Sequence, residues 1–106
     1  MSDARITVPA TVPPGKPFEV RVLIRHAMET GYRMDEAGNS VPRNVIRTFA
    51  CRYNGDAVFS ARLSSGIAAN PYLRFFVTAR ESGQLTIEWL DDGGARGSES
   101  VTVTVA

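Results

Sequence analysis

"FEVRVLIRH", residues 18–26, decides the fold. Phe18, Val20, Val22, Ile24 and His26 fall on one face of an extended chain, and Glu19, Arg21, Leu23 and Arg25 fall on the other. A period of two with one apolar set predicts a strand that buries Phe18, Val20, Val22, Ile24 and His26. Upstream, "RITVPATV" reads as another strand. "PPGKP" is the turn between the two, with Gly15 supplying a positive φ. Downstream, "VIRTFACRY" places Phe49, Cys51 and Tyr53 on one face. Asn54-Gly55 follows it, and this pair favours the positive φ angles of a type I′ hairpin turn. "AVFSARL" returns from that turn.

Beyond a crossing at "SSGIAANP", "YLRFFVTA" aligns Leu73, Phe75, Val77 and Ala79. "ESG" turns into "QLTIEWL", which aligns Leu85, Ile87 and Trp89. "DDGGARG" turns again, and "SVTVTV" points Val101, Val103 and Val105 inward. No window sustains a helical period. The pattern predicts one all-β domain over residues 1–106, an antiparallel immunoglobulin-like β-sandwich of about seven strands. The likeness to immunoglobulins is one of architecture, because the Cys…Trp…Cys framework of their true domains is missing.

A chain of 106 residues with 43% hydrophobic and 22% charged residues is ordinary for one globular domain. Twelve basic and eleven acidic residues leave a net charge of +1. That balance argues against a nucleic-acid or anionic-membrane binder, which needs a basic patch. Lys16 is the only lysine, so the cationic chemistry is that of arginine, which favours planar pairing with carboxylates and other oxyanions. The start, "MSDARITVPATV", has neither the basic region nor the apolar run of a secretory signal peptide. No segment has the length and apolarity of a membrane-spanning helix. On composition alone the expected compartment is the cytoplasm.

The sequence offers little catalytic chemistry. His26 is the only histidine and Cys51 the only cysteine. A blue-copper site needs a second His, and a zinc site is equally short of nitrogen and sulfur ligands. A Cys51–His26 dyad requires an accessible thiolate, but Cys51 alternates with Phe49 and Tyr53 and should be buried and inert. The adjacent pairs Asp35-Glu36 and Asp91-Asp92 lie in turns, where carboxylates normally face water or cap the turn. No cofactor or metal is expected, and the enzyme reading, a small metal or thiol oxidoreductase, is the weakest.

The compositional exception is "HAMETGYRMDEAGNSVPRN", residues 26–44. A hairpin connection needs only about two to five residues. Gly31 and Gly38 mark two turns inside the stretch, which reads as a hairpin or Ω-shaped excursion with its own short pairing. Met28, Tyr32, Met34 and Val41 are apolar groups for which the strand pattern has no place. Methionine, tyrosine and arginine together are the composition of a protein–protein contact. A smaller exception is "SSGIAANPYLRF", where Asn70-Pro71 initiates a turn and Ile67, Ala68 and Ala69 are free to pack under the long loop or against a partner.

"IRHAMETGYRMDEAGNSVPRNVIRTFACRYNG", with "AANPYL" and the acidic "DDGG", resembles the SoxZ family over essentially the whole chain. The shared order is a strand ending in His, then Met-Glu-Thr-Gly, a basic residue, an Asp, a Gly-centred turn, Pro-Arg, a strand with Phe and Cys, and Asn-Gly. Ala27 departs from it, since the family usually has proline there, and Met34 stands where a polar or basic residue is common. The resemblance implies an immunoglobulin-like sandwich that is not an enzyme. It also implies pairing with SoxY as a heterodimer or higher assembly, and transient contact with other Sox enzymes. SoxY carries sulfur intermediates of thiosulfate oxidation on a cysteine of its own flexible arm. This chain ends in "SVTVTVA", so the arm belongs to another chain, and Cys51 does not match the carrier position. The implied compartment is the periplasm, reached by export together with the signal-bearing partner, in place of the cytoplasm that composition suggests. An alternative within the resemblance is the Z-like half of a similar carrier serving another oxidation, such as a quinoprotein dehydrogenase system. The expected partner interface comprises His26, Met28, Glu29, Thr30, Gly31, Tyr32, Arg33, Met34, Pro42, Arg43 and Asn44, with Asn70, Pro71 and Tyr72. Arg33 and Arg43 are expected near a thiosulfonate on the visiting arm.

Overall fold

A computed structural model describes residues 4–64 and 69–106. Seven strands run in chain order: β1 (Ala4–Thr7), β2 (Pro17–Ile24), β3 (Ile46–Tyr53), β4 (Asp56–Arg62), β5 (Tyr72–Thr78), β6 (Gly83–Asp91) and β7 (Arg96–Val103). They form two antiparallel sheets, β1-β2-β5 and β4-β3-β6-β7. This is the predicted sandwich, and the described residues include no helix. The β2–β3 connection, which contains the long loop, crosses from one sheet to the other, as do the β4–β5 and β5–β6 connections.

The inner faces are the ones the alternation marks. Phe18, Val20, Val22 and Ile24 of β2 meet Phe49, Cys51 and Tyr53 of β3 and Leu85, Ile87 and Trp89 of β6 in one buried cluster. Phe49 contacts Phe59 of β4 and Phe75 of β5 edge-on, at centroid distances of 6.2 and 5.9 Å. Phe59 and Phe75 stack on each other at 4.3 Å. These three rings tie the edge strands of the two sheets together, a geometry that adds to the simple burial of their area. The Tyr53 hydroxyl donates to the Glu81 carbonyl at 2.6 Å and fixes the β5–β6 connection to the end of β3.

Asn54 and Gly55 have φ angles of 49° and 87°, as the type I′ turn requires. The strand limits differ from the sequence reading chiefly at β1, which ends at Thr7 and does not run on to Val12, and at β7, which begins at Arg96 and makes the acidic turn before it tighter. At the start of β3 strict alternation fails. Val45 and Ile46 are both buried, and Arg47 and Thr48 are both exposed. The β3–β6 register shifts between Ile46 and Thr48. The extra residue of this bulge turns Arg47 away from the Phe49 face, where alternation would put it.

Cys51 is fully buried between Phe59 of β4 and Ile87 of β6. Burial pushes its thiol up to about 11, so almost none is ionised at neutral pH. A bulky thiol reagent added to native protein at pH 7 should therefore leave Cys51 unmodified until the chain unfolds. Following the released chromophore with and without denaturant checks this; immediate native reaction would mean an accessible thiol.

Candidate functional site: a latched hairpin at one end of the sandwich

β2 and β6 belong to different sheets, and both carry their inward alternation one residue further than their apolar run. After Phe18, Val20, Val22 and Ile24 comes His26; after Leu85, Ile87 and Trp89 comes Asp91. The two polar residues meet at the end of the sandwich, with His26 Nε2 3.0 Å from Asp91 Oδ2. The Met28 amide donates to His26 Nδ1 at 2.9 Å. Nδ1 is thereby the acceptor, which leaves the proton on Nε2 to donate to the carboxylate. The His26 amide donates to Asn70 Oδ1 at 3.0 Å, and the Asn70 amide donates to the His26 carbonyl at 2.7 Å. One residue thus joins β2, β6, the start of the long loop and the crossing before β5. The ring bonds one loop backbone amide, as expected of a half-buried histidine, but its other nitrogen serves a carboxylate.

Of the two roles expected of a turn carboxylate, Asp91 takes the second: it caps its turn, with Oδ1 accepting from the Ala95 amide at 2.9 Å, and it is buried and does not face water. Burial raises its pKa, but the hydrogen bonds from His26 and the Ala95 amide outweigh that and hold it below the ordinary value. Its neighbour Asp92 grips the loop's return. Oδ2 accepts from the Val45 amide at 3.0 Å and lies 3.4 Å from Arg43 Nε, while Oδ1 lies 3.3 Å from Arg47 Nη1. Asn44 Oδ1 accepts from the Gly93 amide at 3.1 Å. The "DDGG" turn therefore staples the base of the loop.

Above this base the loop is a short hairpin. Glu29 and Asn44 exchange both backbone bonds, at 2.9 and 2.8 Å, and Met34 bridges Ser40. Asp35 Oδ1 accepts from the Ala37 and Asn39 amides at 3.0 and 2.9 Å, closing the tip around Gly38. Gly31 has φ 92°, and a Cβ there would lie 3.2 Å from Arg43 Cβ, so a side chain would be strained by both backbone and neighbour. Arg33 makes a two-pronged pair with Glu29 at 2.7 and 3.1 Å, and this holds the Glu29 carboxyl below its usual range. Thr30 Oγ1 accepts from the Tyr32 amide at 3.3 Å.

These contacts divide the expected interface in two. Met28 is corrected outright: it is buried in the main core, and its Sδ accepts from the Ile46 amide at 3.3 Å. It is an anchor, held at φ 52°, a conformation that non-glycine residues adopt only when their surroundings enforce it. Pro71 is also buried, with its carbonyl accepting from the Ile24 amide at 3.0 Å. Val41 is half-buried, so it too is not an outward group. With His26, Asn44 and Asn70, these residues hold the site in place. Tyr32 and Met34 face outward, 91% and 63% exposed, with Arg33 and Pro42 beside them. Tyr72 is exposed too, as the first residue of β5. Arg33 and Arg43, expected beside a thiosulfonate, each face a carboxylate of this chain. Of the small apolar trio in the crossing, Ala69 is exposed, and Ile67 and Ala68 lie outside the described residues. Sequence reasoning missed Asp91, Asp92 and Arg47; the signal for Asp91 was the period of β6 carried two residues past Trp89.

Met28→Ala should cost about 2–5 kcal/mol of stability through the cavity it leaves, read by thermal or denaturant unfolding; a surface-like loss below about 0.5 kcal/mol would place Met28 outside the core. Asp91→Asn should cost about 1–2 kcal/mol near pH 7. Because the folded-state pKa of Asp91 lies below its ordinary value of 3.8, its contribution is complete above that value and is lost as pH falls through the folded one. The stability gap between wild type and Asp91→Asn should therefore close below about pH 4. A gap unchanged down to pH 2 would mean that the charge of Asp91 does not matter.

Comparison with known proteins places this architecture. Solved structures similar to the chain include a superoxide reductase (neelaredoxin) from Ignicoccus hospitalis, at TM-score 0.73 and 20% identity, covering 97% of this chain and 80% of that one. A putative superoxide reductase from Thermotoga maritima aligns at TM-score 0.72 and 15% identity, covering 97% and 85%. The sulfur carrier protein SoxY from Chlorobium limicola f thiosulfatophilum aligns at TM-score 0.68 and 12% identity, covering 100% and 81%. At these identities the likeness is one of fold. No curated protein matches significantly. The family described as sulphur oxidation protein SoxZ matches residues 6–102, nearly the whole sandwich together with the latched hairpin. The chain belongs to the SoxZ family.

Proposed function

We propose that this chain is the non-catalytic subunit that binds SoxY, and that the two together form the periplasmic carrier of covalently bound sulfur intermediates in thiosulfate oxidation. Family membership supports the pathway. The observation that carries the division of labour is Cys51: a fully buried thiol cannot be charged with sulfur by other proteins, so the carrier cysteine belongs to the partner. The hairpin supports the binding role. Its base is stapled by His26, Asp91 and Asp92, while Tyr32 and Met34 stand exposed at its outer end. Exposed aromatic and thioether groups suit a protein contact, and a backbone already held at its base has less freedom left to lose on binding, which favours affinity.

Titration calorimetry against SoxY from the same source tests this. Tyr32→Ala should weaken binding by about 2 kcal/mol or more, roughly thirtyfold, with Met34→Ala acting in the same direction. Both variants should keep their unfolding free energy within about 0.5 kcal/mol. Unchanged affinity in both would return the hairpin to an ordinary solvated loop, and no binding by the wild-type chain would overturn the SoxY assignment. Incubation of the isolated chain with thiosulfate and the remaining Sox enzymes should add no mass at Cys51; a sulfur adduct there would overturn the non-catalytic reading.

A further inference from the structure

The outer face of the β1-β2-β5 sheet carries apolar side chains that stand exposed, with no described strand packed over them. Leu23, Tyr72 and Phe76 are 42%, 58% and 61% exposed. The register puts Leu23 opposite Tyr72, Arg21 opposite Arg74 and Glu19 opposite Phe76. The three apolar groups therefore lie along one two-strand stripe, with the arginines between them. Arg5 of β1 pairs with Leu23 and borders the stripe. Two hollows open there, both lined by Arg5 and Leu23; Arg25 borders one, and Arg21 and Tyr72 border the other.

The charge on this face is uneven. Arg5, Arg21, Arg25 and Arg74 stand against a single carboxylate among the described residues, Glu19, in a chain whose net charge is only +1. Two like charges directly opposite on neighbouring strands are destabilising. Arg21 and Arg74 tolerate this because Glu19 lies between them, bonded to Arg21 and 3.3 Å from Arg74 Nε. One carboxylate shared by two guanidiniums leaves most of their donors directed at solvent.

The geometry points to this sheet face as a second docking surface for the partner subunit, one that receives an acidic surface with an apolar centre. The inference rests on the SoxY-binding reading and extends it from the hairpin onto the sheet. The face is continuous with the hairpin's base, since Leu23 and Tyr72 adjoin Ile24 and Pro71, whose backbones are bonded. A second copy of this chain is the poorer occupant, because a two-fold contact through the same face would set arginines against arginines. Carboxylates of a partner would instead supply the acceptors that Glu19 alone cannot, and its apolar groups would cover Leu23, Tyr72 and Phe76.

Titration of the full chain with purified SoxY, at low and high salt, tests the inference. Phe76→Ala lies far along the face from the hairpin and should weaken binding at least about tenfold. Arg74→Glu should slow association and flatten its salt dependence. It loses the ion pair with Glu19 and gains one with Arg21, so its melting temperature is measured beside its affinity as the control for fold. Tyr32→Ala is the control for the hairpin. If Phe76→Ala and Arg74→Glu bind as wild type does while Tyr32→Ala is impaired, the sheet face is not a docking surface and the hairpin reading stands. If wild type itself does not bind SoxY, both fall. Dimerisation of the isolated chain in sedimentation, abolished by Phe76→Glu, would make a second copy the occupant and overturn the inference.

Discussion

The contact between His26 and Asp91 sets the shape of the functional end of this molecule. Asp91 is the last residue of β6, and His26 lies just past the end of β2, in the other sheet. An apolar pair there would merely extend the core. A histidine and a carboxylate instead make a directional bond, and the remaining ring nitrogen is free to order the backbone that follows. The chain leaves β2 with the amides of His26 and Met28 already bonded. The strained Met28 backbone is sustained because its side chain fills the core and its amide has a partner. Without the latch, a loop of this length would have few buried contacts to hold it, and such segments open at low free-energy cost.

Carboxylates do the corresponding work on the returning arm. Asp92 binds one backbone amide and faces two guanidiniums, so Val45, Arg43 and Arg47 converge on one side chain. The bulge at the start of β3 makes this possible by turning Arg47 outward. Exposed ion pairs contribute little to stability singly, because water screens them and the long side chains lose entropy. Their role here is to orient. They fix where the hairpin leaves the sandwich, and each of residues 32–40 is exposed. The molecule measures 56 × 24 × 21 Å, elongated for its size.

Arginine serves two purposes in this chain. At the hairpin each of Arg33 and Arg43 faces a carboxylate of its own chain, which holds the backbone in register. On the β1-β2-β5 face the arginines outnumber their acceptor, and their neighbours are exposed aromatic and aliphatic groups. Asp92 and Glu19 each serve two guanidiniums; the sheet face differs in that Arg5 and Arg25 stand there as well, with Glu19 the single carboxylate among the described residues of that face.

The sheet architecture was legible in the chain because side-chain alternation follows directly from strand geometry. Phe18 to Ile24, Phe49 to Tyr53 and Leu85 to Trp89 are all buried as their spacing indicates. Local turn chemistry was equally readable at Asn54-Gly55, Gly31 and Gly38, since positive φ depends on one residue and its neighbours. The motifs of the long loop also carried the family. Composition could not separate Met28 from Met34: both are methionines in one irregular segment, yet one anchors the core and the other stands exposed. Nor could it tell that Asp91 lies buried against His26, or that Leu23, Tyr72 and Phe76 line up across β2 and β5. Those outcomes depend on which strands become neighbours and in what register. Residues 65 positions apart, such as His26 and Asp91, meet only when two sheets pack face to face, and no local pattern encodes that meeting.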